Sequence, residues 1–228
     1  MKTFKTILIV LLILAAMFPG IGMLTIFIGT QGIDVSHHNI VSWETVAKET
    51  DVKFAFIKIT EGTTFVDPAG KGNIASAEKA GIKTGAYHFF STQSNPTSQF
   101  LNFKRNFVEQ SSLVPMVDVE VLDGISLSQL NDNVKEFCLM VEEEYGVKPV
   151  IYTSAGLYHI IFGVHDAKFW KDYTFFFWQP VPIHPMFSTG RPRCIWQYST
   201  SKARIAGTSI IDRDVLSFMS VEDLLRNP

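Results

Sequence analysis

The amino-acid sequence predicts an α/β protein: a single β/α barrel, regular in its first five units and mostly β in its last three, behind an N-terminal hydrophobic helix. Three observations lead there. Strand-like and helix-like blocks alternate between residues 32 and 154. The strand blocks are apolar throughout instead of alternating, the pattern of a parallel sheet covered on both faces. Beyond residue 154 the helical periodicity fades, and three more strand-like runs follow. A doubly wound open sheet shares the first two features and is the main competing architecture.

Each element has its own signal. GIDVS (32–36) reads as the first strand, and SWETVAKE (42–49) as a helix begun by Ser42. KFAFIKIT (53–60) is a buried strand, and KGNIASAEKAG (71–81) a helix stopped by Gly81. KTGAYHFF (83–90) is the third strand. Asn95 and Pro96 form an N-cap with proline at the first helical position, opening a helix to about Gln110. LVPMVDVE (113–120) is strand four. Ser126 and Gln129 make a capping box, and Leu127, Leu130, Val134, Phe137 and Val141 recur at helical spacing up to Gly146. VKPVIYTS (147–154) is strand five. TFFFWQ (174–179), RCIWQYS (193–199) and GTSIIDRDV (207–215) complete the strands.

Composition narrows the function. Of 228 residues, the first 30 form an N-terminal segment of their own, and residues 31–228 suit one large domain. A formal net charge of −2 speaks against nucleic acid as a partner, because that needs a basic stripe. Two cysteines are too few for a disulfide framework or a thiolate zinc site, although one bridge is possible; Cys138, on an apolar helical stripe, reads as an inert buried thiol. His37 and His38 are adjacent and point apart, so no catalytic metal is expected, nor any cofactor. No G-x-S-x-G elbow supports a nucleophilic triad.

The N-terminus reads as an address. Lys2 and Lys5 precede an uncharged apolar run from Ile7 to Ile28. A positive flank first means that the start stays in the cytoplasm and the domain is exported. The run matches a hydrocarbon layer of roughly 30 Å, longer than a usual signal-peptide core. The expectation is therefore a membrane-anchored domain facing the periplasm or exterior, with a cleaved signal peptide and a secreted domain as the alternative. A monomer is expected.

Acidic residues give the chemistry. In β/α barrels the reactive groups gather at the C-terminal ends of the strands. Asp34 falls near the end of strand one, Glu61 just beyond strand two, Asp118 and Glu120 at the end of strand four, and Asp212 in the last strand. Residues i and i+2 of a strand share a face, about 6.6 Å apart. Four or five carboxylates thus converge on one mouth. Such crowding raises at least one pKa, and a carboxyl kept protonated near neutral pH can act as a general acid. Tyr87, Tyr152 and Trp178 lie on strands where a flat face with a polar handle could pack against a sugar ring, whereas Phe89 and Phe175–Phe177 read as barrel core.

With these residues in place, the chain resembles the family 25 glycoside hydrolases. GIDVSHHN, FAFIKITEGTTFVDP, AGIKTGAYHFF, VPMVDVE, KPVIYTS, WQY and IDRDV follow that family's order and spacing over residues 31 to 218. The resemblance implies a TIM-like barrel with a distorted second half. It also implies lysozyme activity as an N-acetylmuramidase, cleaving the β-1,4 bond between N-acetylmuramic acid and N-acetylglucosamine in peptidoglycan glycan strands. By motif match, Glu120 corresponds to the general acid/base, Asp118 to its partner, and Asp34 and Asp212 to the acids of the first and last strands. Glu61, Tyr87, Tyr152, Trp178 and Gln197 are the implied substrate-binding or positioning residues. The chain departs from the pattern at Ile40, usually Pro or Gly, at Asp214, usually Asn, and at FFFWQP around Trp178.

Two carboxyls on one strand lie on one side of a sugar, which favours retention assisted by the substrate's 2-acetamido group over attack by Asp118. A chitin-directed hydrolase and a non-catalytic glycan-binding module are the alternatives.

Overall fold

The computed structural model describes residues 20–227 apart from 180 and 182. A short helix, α1 (20–28), precedes β1 (Gln31–Val35) and α2 (Trp43–Glu49). Then come β2 (Val52–Glu61), the two-residue β3 (Phe65–Val66), α3 (Gly70–Lys79), β4 (Lys83–Phe89) and α4 (Pro96–Asn106). β5 (Met116–Asp118), α5 (Leu127–Tyr145) and β6 (Val150–Ser154) complete the regular part. β7 (Phe175–Trp178), β8 (Cys194–Ala203) and β9 (Ile211–Ser217) follow with only short helical turns between them.

The sheet closes. β1, β2, β4, β5, β6, β7 and β8 run parallel to their neighbours, and β9 pairs antiparallel with both β8 and β1. This is the eight-stranded barrel, regular early and β-rich late, and not the open sheet. β3 hangs on the end of β2 outside the barrel wall.

Alternation along each strand divides the core in two. Outward residues such as Ile33, Ile57, Ala86, Val117, Ile151 and Phe177 pack under the helices with Val134, Phe137 and Val141 of α5. Inward residues Phe54, Phe56, Met116, Val150, Phe176, Ile195 and Leu216 fill the barrel itself, with Leu113 and Leu224. Burying each such side chain is worth about 1.5–3 kcal/mol. Two glycines make room for the phenylalanines. A Cβ on Gly32 would lie 2.2 Å from the Phe54 ring, and one on Gly85 2.3 Å from that of Phe56.

Two side-chain caps form as expected: Asn95 Oδ1 accepts from the Ser98 N–H at 3.1 Å, and Ser126 Oγ from that of Gln129 at 3.2 Å, whereas Ser42 precedes α2 without a side-chain capping bond, its Oγ meeting Thr45 Oγ1 at 2.9 Å. Gly146 ends α5 with φ +70°, the left-handed conformation glycine adopts most easily. Phe175, Phe176 and Phe177 are fully buried, and both cysteines are buried and free.

Several boundaries move. α4 stops at Asn106 instead of Gln110, because the Asn106 amide bonds back to the carbonyl of Asn102 and competes with the helix. β5 is shorter than 113–120: Pro115 has no N–H to donate, and Glu120 lies beyond the strand. β9 begins at Ile211, because Gly207 turns at φ +80° against Ser42.

The apolar N-terminal segment lies mostly outside the described residues. Its last part forms α1, packed at the barrel end opposite the acids, where Gln31 Nε2 donates to the carbonyl of Ile26 at 2.6 Å. Among the described residues no helix is long and apolar enough to cross a membrane.

Candidate active site

Asp34, Asp118, Glu120 and Asp212 line one cavity of about 320 Å³, together with Tyr87, Tyr152, Trp178 and Gln197. β9 runs backwards relative to β1, so Asp212 at its start stands directly opposite Asp34 near the end of β1. Asp118 is the last residue of β5, and Glu120 follows it in the loop. The cavity therefore opens at the C-terminal ends of the parallel strands.

Asp34 is held from one side. The Gln197 Nε2–H donates to its Oδ2 at 2.6 Å, while the Tyr152 hydroxyl donates to Gln197 Oε1 at 2.9 Å. With its oxygen engaged, the Gln197 amide must turn its nitrogen to Asp34. Burial, and then the charge of Asp212, push Asp34 up to about 7.

Asp118 is 7% exposed, and its Oδ1 has no hydrogen-bond partner among the described residues. Burial first, then Glu120 and Asp34, raise it well above the ordinary carboxylate range, with Lys58 pulling the other way. Glu120 is exposed overall, yet its carboxyl end is raised by partial burial and by Asp212 and lowered by Lys58. Acids coupled this closely give up their protons in shared steps, so the cluster retains protons well above pH 4.

Glu61 does not line the cavity. Its Oε2 accepts from Lys58 Nζ at 2.6 Å, holding the ammonium that faces the acids. Lys58 is the residue that sequence reading passed over. The signal was a lysine inside the apolar run FAFIKIT, where a buried cation needs a counter-charge. Phe89 corrects the core assignment: it lines the cavity, with Lys58 Nζ 4.7 Å from its ring centroid. It sits at the inward end of β4, where the core gives way to the mouth. Ser36, Asn39 and Met116 also line the site. Trp178, 40% exposed, stands at the rim.

His88 takes no part. It is fully buried behind β4, its Nε2–H donating to Gln99 Oε1 at 3.1 Å and its Nδ1 accepting from the Thr60 hydroxyl at 2.8 Å. Burial pushes it down to about 4, so the ring stays neutral.

The sequence model described as "Glycosyl hydrolases family 25" matches residues 33–208, most of the chain. The chain belongs to that family. It is 37% identical over 135 residues to the uncharacterized protein YegX of Escherichia coli K12, covering 57% of this chain and 50% of YegX. It is 31% identical over 199 residues to lysozyme M1 of Streptomyces globisporus, covering 79% of this chain and 65% of that one. The chain thus spans about half to two thirds of the length of these curated relatives. The crystal structure of a bacterial lysozyme from Streptomyces coelicolor superimposes with a TM-score of 0.74 at 29% identity, covering 86% of this chain and 95% of that one. The family 25 member thus carries an acid-lined mouth on a barrel shared with a lysozyme.

Proposed function

We propose that the protein is a lysozyme that hydrolyses the β-1,4 bond between N-acetylmuramic acid and N-acetylglucosamine in peptidoglycan. The observation that carries the mechanism is Asp118: a buried carboxyl in the cavity wall, with an oxygen lacking any donor among the described residues. A 2-acetamido group supplies a donor of the right kind. Its N–H meets Asp118 Oδ1, which turns the acetamido oxygen toward the anomeric carbon and stabilises the charge that develops there. Glu120 protonates the leaving oxygen. It then takes a proton from the incoming water, whose oxygen opens the cyclic intermediate. Asp34 and Asp212, facing each other across the β1–β9 junction, bind sugar hydroxyls and set the field around the acid. Tyr87, Tyr152 and Gln197 form the wall, Trp178 packs on a sugar face at the rim, and Glu61 positions Lys58.

Identifying the new reducing end after wall digestion tests this reading: N-acetylmuramic acid supports it, and N-acetylglucosamine overturns it. Chitin oligomers assayed beside muramyl ones separate the chitin-directed alternative, and absence of any reducing-sugar release would leave a binding module. Substrate assistance requires retained configuration, so time-resolved NMR showing the inverted anomer first would sink that step.

The catalytic domain, residues 31–228, works as an exported monomer, with residues 1–30 as anchor or signal. Met23, Leu24, Phe27 and Ile28 on α1 are exposed, continuing the apolar run onto the barrel end opposite the mouth. An anchor there would aim the cavity away from the bilayer. N-terminal sequencing of the exported protein separates anchor from cleaved signal.

A further inference from the structure

Asp214 has no part in the mechanism above, yet it is the most enclosed acid in the barrel. β9 sets it opposite Gly32 of β1 and Gln197 of β8, two residue pairs deeper than the facing Asp34 and Asp212. Opposed residues of paired strands share a face, so Asp214 enters the barrel interior with them. Glycine at 32 leaves the space in front of it to the Phe54 ring.

The residue is fully buried, and neither carboxyl oxygen has a hydrogen-bond partner among the described residues. Arg213, next in sequence, offers no N–H: its guanidinium donates to Gln31 Oε1 at 2.8 Å and to Asp51 Oδ1 at 3.2 Å, on the other side of the strand. The group within hydrogen-bond reach is the carboxyl of Asp34. Gln197 gives one amide N–H to Asp34, and its second N–H makes no hydrogen bond to either Asp214 oxygen. Two carboxylates in contact, with no cation or donor between them among the described residues, cannot both be ionised in a buried site. A single proton between them resolves the conflict.

We propose that Asp214 is a neutral carboxylic acid whose O–H donates to Asp34, a positioning residue that keeps Asp34 aimed at the mouth. Asp34 then has two neutral donors, Gln197 and Asp214, fixing it from below. The titratable and charged groups facing Asp214 are Asp34 from β1, Asp212 and Arg213 from its own strand, Tyr152 from β6 and Tyr198 from β8. Burial, followed by Asp34 and Asp212, raises Asp214 well above the usual range. The catalytic consequence rests on Asp34 belonging to the working site; the protonation state does not.

Infrared difference spectra between the full chain and its Asp214→Asn variant give the direct test. The expected result is a protonated-carboxyl band at pH 6 to 8 that shifts in heavy water and is absent from the variant. An ionised Asp214 at pH 6 would overturn the proposal. Asparagine keeps a donor and loses the proton, while Asp214→Leu fills the space without a donor. Turnover of Asp214→Asn should therefore stay within about threefold of the parent at pH 6, whereas Asp214→Leu falls about tenfold or more at unchanged KM. Equal activity of the two variants would exclude the donor role. Melting temperatures add a pH signature. A folded-state pKa above the unfolded one means stability present at acid pH and lost as pH rises, so the parent should lose ground to Asp214→Asn steadily from about pH 4 upward. A constant difference across that range would count against a stored proton. Failure of the parent to cleave wall would overturn the lysozyme reading alone, because the infrared band does not depend on it.

Discussion

The inward-facing positions of this barrel change character halfway along the same strands. On β2, Phe54 and Phe56 fill the lower interior and Lys58 faces the mouth; on β9, Leu216 lies deep and Asp214 and Asp212 rise toward the opening. The lower half holds the fold, and the upper half tolerates buried acids with few partners, a cost that only a useful site justifies. The contrast teaches that stability and chemistry are separated by height in the barrel and not by element.

The sharpest way to test that separation is to remove the acid. Glu120→Gln should lower turnover by about 10²–10⁴-fold without lowering the melting temperature. A large loss of stability would show that the mouth also holds the fold. In the lower half the reverse is expected. Phe54→Ala should cost about 3–5 kcal/mol in a urea titration, and the fraction still folded should keep most of its turnover. Asp118→Asn joins the two regions: turnover falls, yet stability rises relative to the parent. The reason is a sign argument. Asp34 and Asp118 both hold protons more tightly folded than unfolded, so their contribution is complete below about pH 4 and is lost as pH rises, through about 7 for Asp34. The stability gain should therefore be larger at pH 8 than at pH 5, measured by thermal melting.

Smaller effects refine the picture. Lys58→Met removes the cation that holds Asp118 and Glu120 down, so the alkaline limb of the pH–rate profile should move upward, with turnover reduced about tenfold. Trp178→Ala, at the exposed rim, should raise KM severalfold and leave melting untouched.

Much of this was legible in the chain. Apolar strand blocks and capped helices mark the first five units because both signals are local: Asn95, Ser126 and Gly146 each act within a few residues of themselves. The acids at the strand ends were legible for the same reason, once a barrel was assumed. What escaped depends on partners remote in sequence. Lys58 matters because of acids on β5, and Phe89 because the core ends beneath it. Asp214 stood out only as a departure from a familiar pattern; its enclosure comes from Gly32 and Gln197 on two other strands. The antiparallel sense of β9 follows from the short link 204–210 after β8, too short for a parallel crossover.

That last strand sets the order in which the protein can become active. Asp34 and Asp212 meet only where the first strand pairs with the last, a contact spanning nearly the whole chain. Contacts so distant in sequence form slowly, because a long loop must close before they reward it. A chain cut short before residue 211 carries Glu120 but not the completed mouth. Under the lysozyme reading proposed above, activity would be withheld until the barrel has closed.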